Sequence, residues 1–555
     1  MISNEYDYVV VGGGIAGLYT AYLLLTSPPK IKTYSPTRSI RKTKTKMNFS
    51  KKSVEKLRRS NIFGGGITET KSRKIKKKDF PGSPSVLVLE KENRLGGRVF
   101  TYKDNTMEVE AGAGRFHSSH HLLFDLIKKL DLQDKIQPIN SNPIYIDSLT
   151  GEKYPEQILN TIIQKVISRS KNYSERELQK QSFLSFAKAV LLDSVQIKYI
   201  ENSFGFSTEL YYMNAYDAII LMKTLISSKL PSRATANLSS PSQATEKPSK
   251  PSKKLSRRSI QIPSSGEKAN GFYYLSGGLS QIIENLQKRI ISLGGQIQTG
   301  VSVNNIHLSS SQATANLSSP SQATEKSIKK RYIISGEYSN FSALRPEKIL
   351  FGSDDAFPKN VNSPFFEIIT KNCIFALPKQ HLQKISLFSR EPIFRDIFDK
   401  IYCGSLCRIY TKFSNGSWFK DLSRFTTQND LRMVIPINPE KGTIMISYSD
   451  NIYADRWNEF YEKRGMEAMK RRLRELLKEC LLIDIPPLGS THIFYWNCGV
   501  GYWAVGANSK KISKKMIKPF PNENIFVCGE HYSAKHQQWM EGALDTSSQV
   551  VRNFL

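Results

Sequence analysis

Tyr6-Asp-Tyr-Val-Val-Val-Gly12-Gly-Gly14-Ile-Ala-Gly17-Leu-Tyr-Thr-Ala-Tyr-Leu-Leu-Leu25 decides how the chain begins to fold. Residues 6–11 are a short apolar run, and Ile15 onward carries apolar residues at helical spacing, so the stretch reads as strand, tight turn and helix. Gly12, Gly14 and Gly17 form G-x-G-x-x-G at the junction. The first permits the sharp turn, the second lets a pyrophosphate approach the backbone, and the third lets helix and strand pack closely. The free N–H groups and positive partial charge of the helix N-terminus suit a diphosphate. The expected fold class is therefore α/β, with a Rossmann-like dinucleotide-binding domain.

The second strand of such a unit follows its helix after a short loop of roughly 2–6 residues. Here the next comparable run is Ser85–Glu90, SVLVLE, and the intervening residues are Lys/Ser/Thr-rich without periodicity. We read 30–83 as a basic insertion into that loop. The fourteen residues ATANLSSPSQATEK occur twice, at Ala234–Lys247 and Ala313–Lys326. Identical Ser/Pro/Thr/Gln-rich copies without apolar anchors indicate duplicated low-complexity filler rather than a solenoid unit. These insertions explain the formal net charge of +31. Residues 30–79 hold 18 Lys/Arg against 3 Asp/Glu, residues 227–258 hold 8 against 1, and residues 311–330 hold 3 against 1. The rest of the chain is only mildly basic. Solvated insertions are the favoured reading, and a tether to nucleic acid is the alternative.

With 555 residues and 39% hydrophobic content the chain can bury two or three cores. It has no apolar run long enough to span a membrane, and residues 1–14 do not resemble a secretion signal. The six cysteines show no C-x-x-C pairing, so reduced thiols are expected rather than a disulfide framework or zinc site. The expected location is intracellular and cytoplasmic, with the nucleus as the alternative that the basic stretches raise. Histidines 117, 120, 121, 531 and 536 lack metal-site spacing, and no metal is assigned.

Along the chain, 1–29 and 84–116 are assigned to the dinucleotide domain, 117–226 to a mainly helical part of a second, mixed α+β domain, and 227–265 to a low-complexity insertion. Residues 266–308 return to the first domain, 309–330 form another insertion, and 331–378 continue the first domain. Residues 379–495 complete the second domain, with a charged amphipathic helix near 456–482. Residues 496–555 close the first, ending in a helix that begins near Trp539.

Glu90-Lys-Glu-Asn-Arg94-Leu-Gly96-Gly97-Arg98-Val-Phe-Thr101 resembles the E-x-x-x-R-x-G-G-R-x-x-T signature of the flavin amine oxidase superfamily. That superfamily includes monoamine, polyamine and L-amino-acid oxidases and the lysine demethylases. Further similarity lies at Tyr274–Leu279, Val303–Ile306, Cys373–Pro378, Phe526–Glu530 and Trp539–Ala543. The resemblance implies noncovalent FAD. Gly12, Gly14, Ile15, Ala16 and Gly17 would hold its diphosphate, with Glu90 and Lys91 at the ribose end. Gly97, Arg98, Gly112, Ala113, Gly114 and Arg115 would follow the phosphates and flavin. The Val303 backbone would meet the adenine. Gly529 and Glu530 would meet the ribityl chain, and Trp539 and Met540 the pyrimidine edge. Tyr502 stands where monoamine oxidases carry their flavin-linked cysteine.

What acts on the substrate is likewise implied by resemblance. Trp503, or its neighbour Tyr502, and Trp539 would frame an amine above the flavin. Gly112-Ala-Gly-Arg115-Phe-His-Ser-Ser-His120 resembles the G-P-M-R-x-P-x-x-H segment of L-amino-acid oxidases, whose arginine binds the substrate carboxylate. His117 departs from that pattern by replacing its proline. Arg408 occupies the place of the family's lysine, with Lys412 four residues on. Arginine keeps its proton, so it is no simple replacement for lysine. The expected activity is oxidation of an amine, favoured an L-amino acid, with oxygen reduced to hydrogen peroxide. The alternatives are a polyamine or monoamine oxidase, a chromatin- or nucleic-acid-associated flavoprotein, or a catalytically weak FAD-binding protein.

Overall fold

The computed structural model describes residues 5–27, 84–139, 142–227, 271–308, 330–338 and 365–554. Both copies of the repeat and the whole basic 30–83 stretch lie outside these residues. So do 339–364, a stretch that the sequence reading assigned to the first domain.

The opening run forms strand Glu5–Val11, followed by helix Ile15–Thr26. The strand lies between Val86–Leu89 and Phe365–Phe375, parallel to both, and buried side-chain clusters cover both of its faces. That is why it reads as a continuous apolar run rather than alternating. Val10 packs with Leu18, Leu286 and Leu544 on one face, while Val9 and Val11 join Phe388, Phe394 and Tyr532 on the other. The sheet runs Gln296–Gln298, Val86–Leu89, Glu5–Val11, Phe365–Phe375, Tyr332–Tyr338, Val301–Leu308, with Ile525–Val527 alongside Phe365–Phe375. Helices Ile15–Thr26, Ser280–Ser292 and Met540–Arg552 cover the first face.

A second sheet orders Thr491–Trp503, Ile401–Lys412, Thr443–Asp450, Met433–Asn438, Phe425–Thr426, Ile144–Ile146 and Lys153–Pro155. Helix Asn451–Leu481 packs against it through Trp457, Leu473 and Leu477 and breaks at Gly465 (φ 73°). Helices Glu156–Arg169, Phe183–Leu191 and Ala215–Ser227 form a further lobe. Residues 117–226 are mainly helical, as their periodicity indicated, with a few short strands in their first part. Strands Phe116–His117, Ile136–Pro138 and Ile144–Ile146 come first, and the third extends the second sheet.

At the first turn Gly12 has φ 112°, a conformation glycine adopts without steric penalty. A β-carbon on Gly17 would stand 1.9 Å from the Gly12 carbonyl oxygen, backbone against backbone. Gly17→Ala must therefore pry helix from strand. We expect destabilisation by about 2 kcal/mol or more and loss of retained flavin. Thermal denaturation and the flavin-to-protein ratio check this, and an alanine variant with unchanged melting and full flavin would contradict it.

Candidate active site

A cavity of about 980 Å³ runs from the glycine turn into the space between the second sheet and the helical lobe. Every residue assigned to the cofactor from sequence lines it, with the exception of Gly17, which supports the turn from behind. At the near end, Gly14 and Gly96 form a bridge, and Gly14 has only the Gly96 oxygen, at 3.9 Å, within reach of an added β-carbon. No side chain caps the helix that starts at Ile15, so its first N–H groups face a space with room for a diphosphate. Glu90 accepts hydrogen bonds from the N–H groups of Gly13 (2.6 Å) and Glu92 (2.9 Å), which lock the turn to the second strand. Burial pushes its carboxyl above the ordinary value.

Further in, Arg98 meets the C-terminal part of the chain. Its Nη1 donates to Glu530 at 2.5 Å and to the Gly499 carbonyl at 2.8 Å. Burial alone would raise the Glu530 carboxyl, but His531 and Arg98 overcome it and hold the group at about 2. Glu530 also accepts from the N–H groups of Gly501 and Gln538. Glu541 accepts from the N–H groups of Leu122 and Leu123, both at 3.0 Å, and so caps helix His121–Lys129 from across the fold. Open backbone at one end and an anchored Arg98 beyond it match the demands of an extended dinucleotide.

The far wall holds three guanidinium groups. Arg408 is buried. Its Nη1 donates to the Glu110 carbonyl (2.8 Å), its Nη2 donates to the Tyr448 hydroxyl (3.3 Å), and it lies 4.5 Å over the Tyr448 ring. Burial works against its charge, yet the Tyr448 and Tyr410 phenols hold its pKa above the ordinary value. Arg115 stacks 4.7 Å over Phe272, whose ring stacks in turn on Trp539. Glu110, its nearest candidate counter-ion in sequence, is committed to the Leu279 N–H and the Thr101 hydroxyl. Arg115 has no hydrogen-bond or ion-pair partner among the described residues, and burial lowers its pKa. Arg424, which the sequence reading did not single out, lines the same wall.

Tyr502 and Trp539 line the cavity, whereas Trp503 does not. Trp503 is 1% exposed among Phe375, Ile401 and Tyr532, and its indole donates to the Ser533 carbonyl. Strand alternation sends neighbours to opposite faces, so only one of the pair can face the cavity, and it is Tyr502. The sequence also missed Trp496, which donates to the Ala111 carbonyl (2.8 Å), and Glu209, which is 7% exposed. Lys412 does not line the cavity; its ammonium donates to the Thr106 carbonyl.

One sequence expectation is corrected. Cys403 and Cys498 are joined as a disulfide across adjacent strands, with Cα atoms 5.1 Å apart. They meet because the pairing of Ile401–Lys412 with Thr491–Trp503 is irregular between Gly404 and Leu406. Their 95-residue separation gave no sequence signal. The other four cysteines are free and buried. Among the described residues, Cys403, Cys498 and His531 are the group whose atom types and spacing suit a metal, with the two sulfurs bonded to one another.

The sequence profile described as flavin-containing amine oxidoreductase matches residues 79–351. The chain is similar to that family over those residues. It is an FAD-dependent amine oxidoreductase. No curated protein sequence matches it. Among solved structures, a double mutant of putrescine oxidase made to redesign cofactor binding aligns with TM-score 0.62 at 13% identity, covering 99% of each chain. Wild-type putrescine oxidase bound to putrescine aligns with TM-score 0.60 at 12% identity, covering 99% of this chain and 98% of its own. At such identity the likeness establishes the fold alone. No helix among the described residues is long and apolar enough to cross a membrane.

Glu209 supplies a pH test of the amine oxidoreductase cavity. Burial and the nearby Asp450 raise its carboxyl from 4.5 to about 8, against the pull of Arg115. Between those values the folded state keeps a proton that the unfolded chain has released. Its contribution to stability is therefore complete below pH 4.5 and lost as pH rises to about 8. Glu209→Gln does not titrate. The melting temperature of the variant relative to the parent should climb by a few degrees between pH 5 and pH 8, and a flat difference would disprove the assignment.

Proposed function

We propose that this amine oxidoreductase oxidises an α-amino acid, favoured in the L-configuration. The bond between Cα and the amino nitrogen becomes an imine that water hydrolyses, and oxygen is reduced to hydrogen peroxide. FAD, when bound, supplies the hydride acceptor. The observation that carries the reading is Arg115: a guanidinium set deep in the cavity, stacked on Phe272 and lacking a counter-ion among the described residues. A charge left in that state is costly, and a substrate carboxylate relieves it with a charge-assisted hydrogen bond.

The charge balance of the wall supports the same class. Arg115, Arg408 and Arg424 face the cavity with Glu209 and Glu156, and Glu209 is largely protonated at pH 7. A diamine carrying two positive charges enters this field at a disadvantage. The second reading, a polyamine oxidase, draws on those two carboxyl groups and on the fold shared with putrescine oxidase.

The residues divide the work between positioning and electrostatics. Arg115 would fix the carboxylate, while Trp539 and Tyr502 would confine the reacting carbon between aromatic surfaces. Arg408 acts as a permanent cation. Its raised pKa and its bonds to Glu110 and Tyr448 leave no proton to exchange, so it can stabilise developing negative charge but cannot serve as a base. Loss of the substrate ammonium proton then falls to solvent or to another group, and turnover should rise with pH until the amine is neutral.

Anaerobic mixing of the holoenzyme with L-amino acids, monoamines and putrescine distinguishes the readings, because bleaching of oxidised flavin reports hydride transfer. Arg115→Met should weaken apparent binding of amino acids by about 10–100-fold and leave residual reaction with amines unchanged. Bleaching by putrescine alone, or an equal loss for amines without a carboxylate, would overturn the assignment.

A further inference from the structure

Arg424 is the feature of the cavity that neither the cofactor nor the α-carboxylate uses. It stands one residue before strand Phe425–Thr426, and its carbonyl accepts from the Ile144 N–H, so the second sheet fixes its backbone. Arg115 stands just ahead of strand Phe116–His117. Both line the one cavity. Neither has a hydrogen-bond or ion-pair partner among the described residues, and Glu156 attracts both. Burial, with Arg115 adding to it, lowers the Arg424 pKa to about 10. Two like charges held in one partly dehydrated chamber repel one another, and one carboxylate can neutralise only one of them. Arg408 differs, since Glu110 and Tyr448 occupy its donors.

We propose that Arg424 is a specificity-determining residue that receives a second, side-chain carboxylate, so that the preferred substrate is an acidic α-amino acid such as L-glutamate or L-aspartate. The inference rests on the amino-acid reading above and names its substrate class. With the α-carboxylate on Arg115 and the distal carboxylate on Arg424, a single ligand compensates both guanidiniums. A site built to pair a charged group discriminates strongly against analogues that lack the charge, because its own charge is then left buried and unpaired.

The test compares L-glutamate and L-aspartate with their neutral amides, L-glutamine and L-asparagine, in anaerobic flavin reduction by the holoenzyme. It also compares binding of the non-reacting glutarate and butyrate through perturbation of the flavin spectrum. The parent should prefer the better acidic amino acid over its amide by about 10–100-fold, and glutarate over butyrate by at least about 10-fold. Arg424→Gln should abolish both preferences, and Arg424→Lys should restore part of them. Should the glutamine variant fail to retain flavin, the parent's two ratios decide alone. Equal reduction by glutamate and glutamine, with no preference for glutarate, overturns the role of Arg424 and leaves the amino-acid reading standing. Reduction by putrescine and by no amino acid overturns both.

Discussion

The contact between the Gly12 carbonyl and Gly17 sets the geometry on which the remaining structure depends. Backbone meets backbone there with no room for a methyl group. The helix that starts at Ile15 can consequently lie close against strand Glu5–Val11 and aim its uncapped N–H groups over the strand's end. Glu90 holds the same turn from the neighbouring strand through the Gly13 N–H. The chain then returns to this point three times, at Phe365–Phe375, at Ile525–Val527 and at helix Met540–Arg552. Arg98, downstream of strand Val86–Leu89, is bonded to Glu530, which follows strand Ile525–Val527. The cofactor end of the cavity is thus assembled from distant segments whose common support is a few backbone contacts.

At the other end the governing quantity is uncompensated charge. Arg408 is satisfied by Glu110, Tyr448 and a ring face, whereas Arg115 is left with a ring face alone. Glu209, pushed toward neutrality by burial, offsets little of the positive field at neutral pH. Protein interiors seldom hold guanidinium groups in this state without use, because desolvating a charge that finds no partner is among the largest single penalties in folding. The wall is consistent with a structure whose full satisfaction includes a ligand.

The sequence by itself determined the parts whose cause is local. A run of Val9, Val10 and Val11 covered on both faces must be apolar throughout, and glycines at a turn that excludes β-carbons must be glycines. Periodicity of 3.6 disclosed helix Asn451–Leu481, and the paired glycines before Arg98 marked the stretch that lines the cofactor end. Those requirements act within a dozen residues, so they leave a readable spacing.

Only the tertiary structure decided which aromatic of Tyr502 and Trp503 faces the cavity, because one step along a strand reverses the side and the sequence does not state the register. It decided that Cys403 and Cys498 meet, through an irregularity in a pairing between strands far apart in the chain. It also brought Arg424 and Glu209 beside Arg115, from three segments that share no motif. In each instance the physical reason is the same: convergence of distant segments is set by packing of the whole fold, and no local pattern records it.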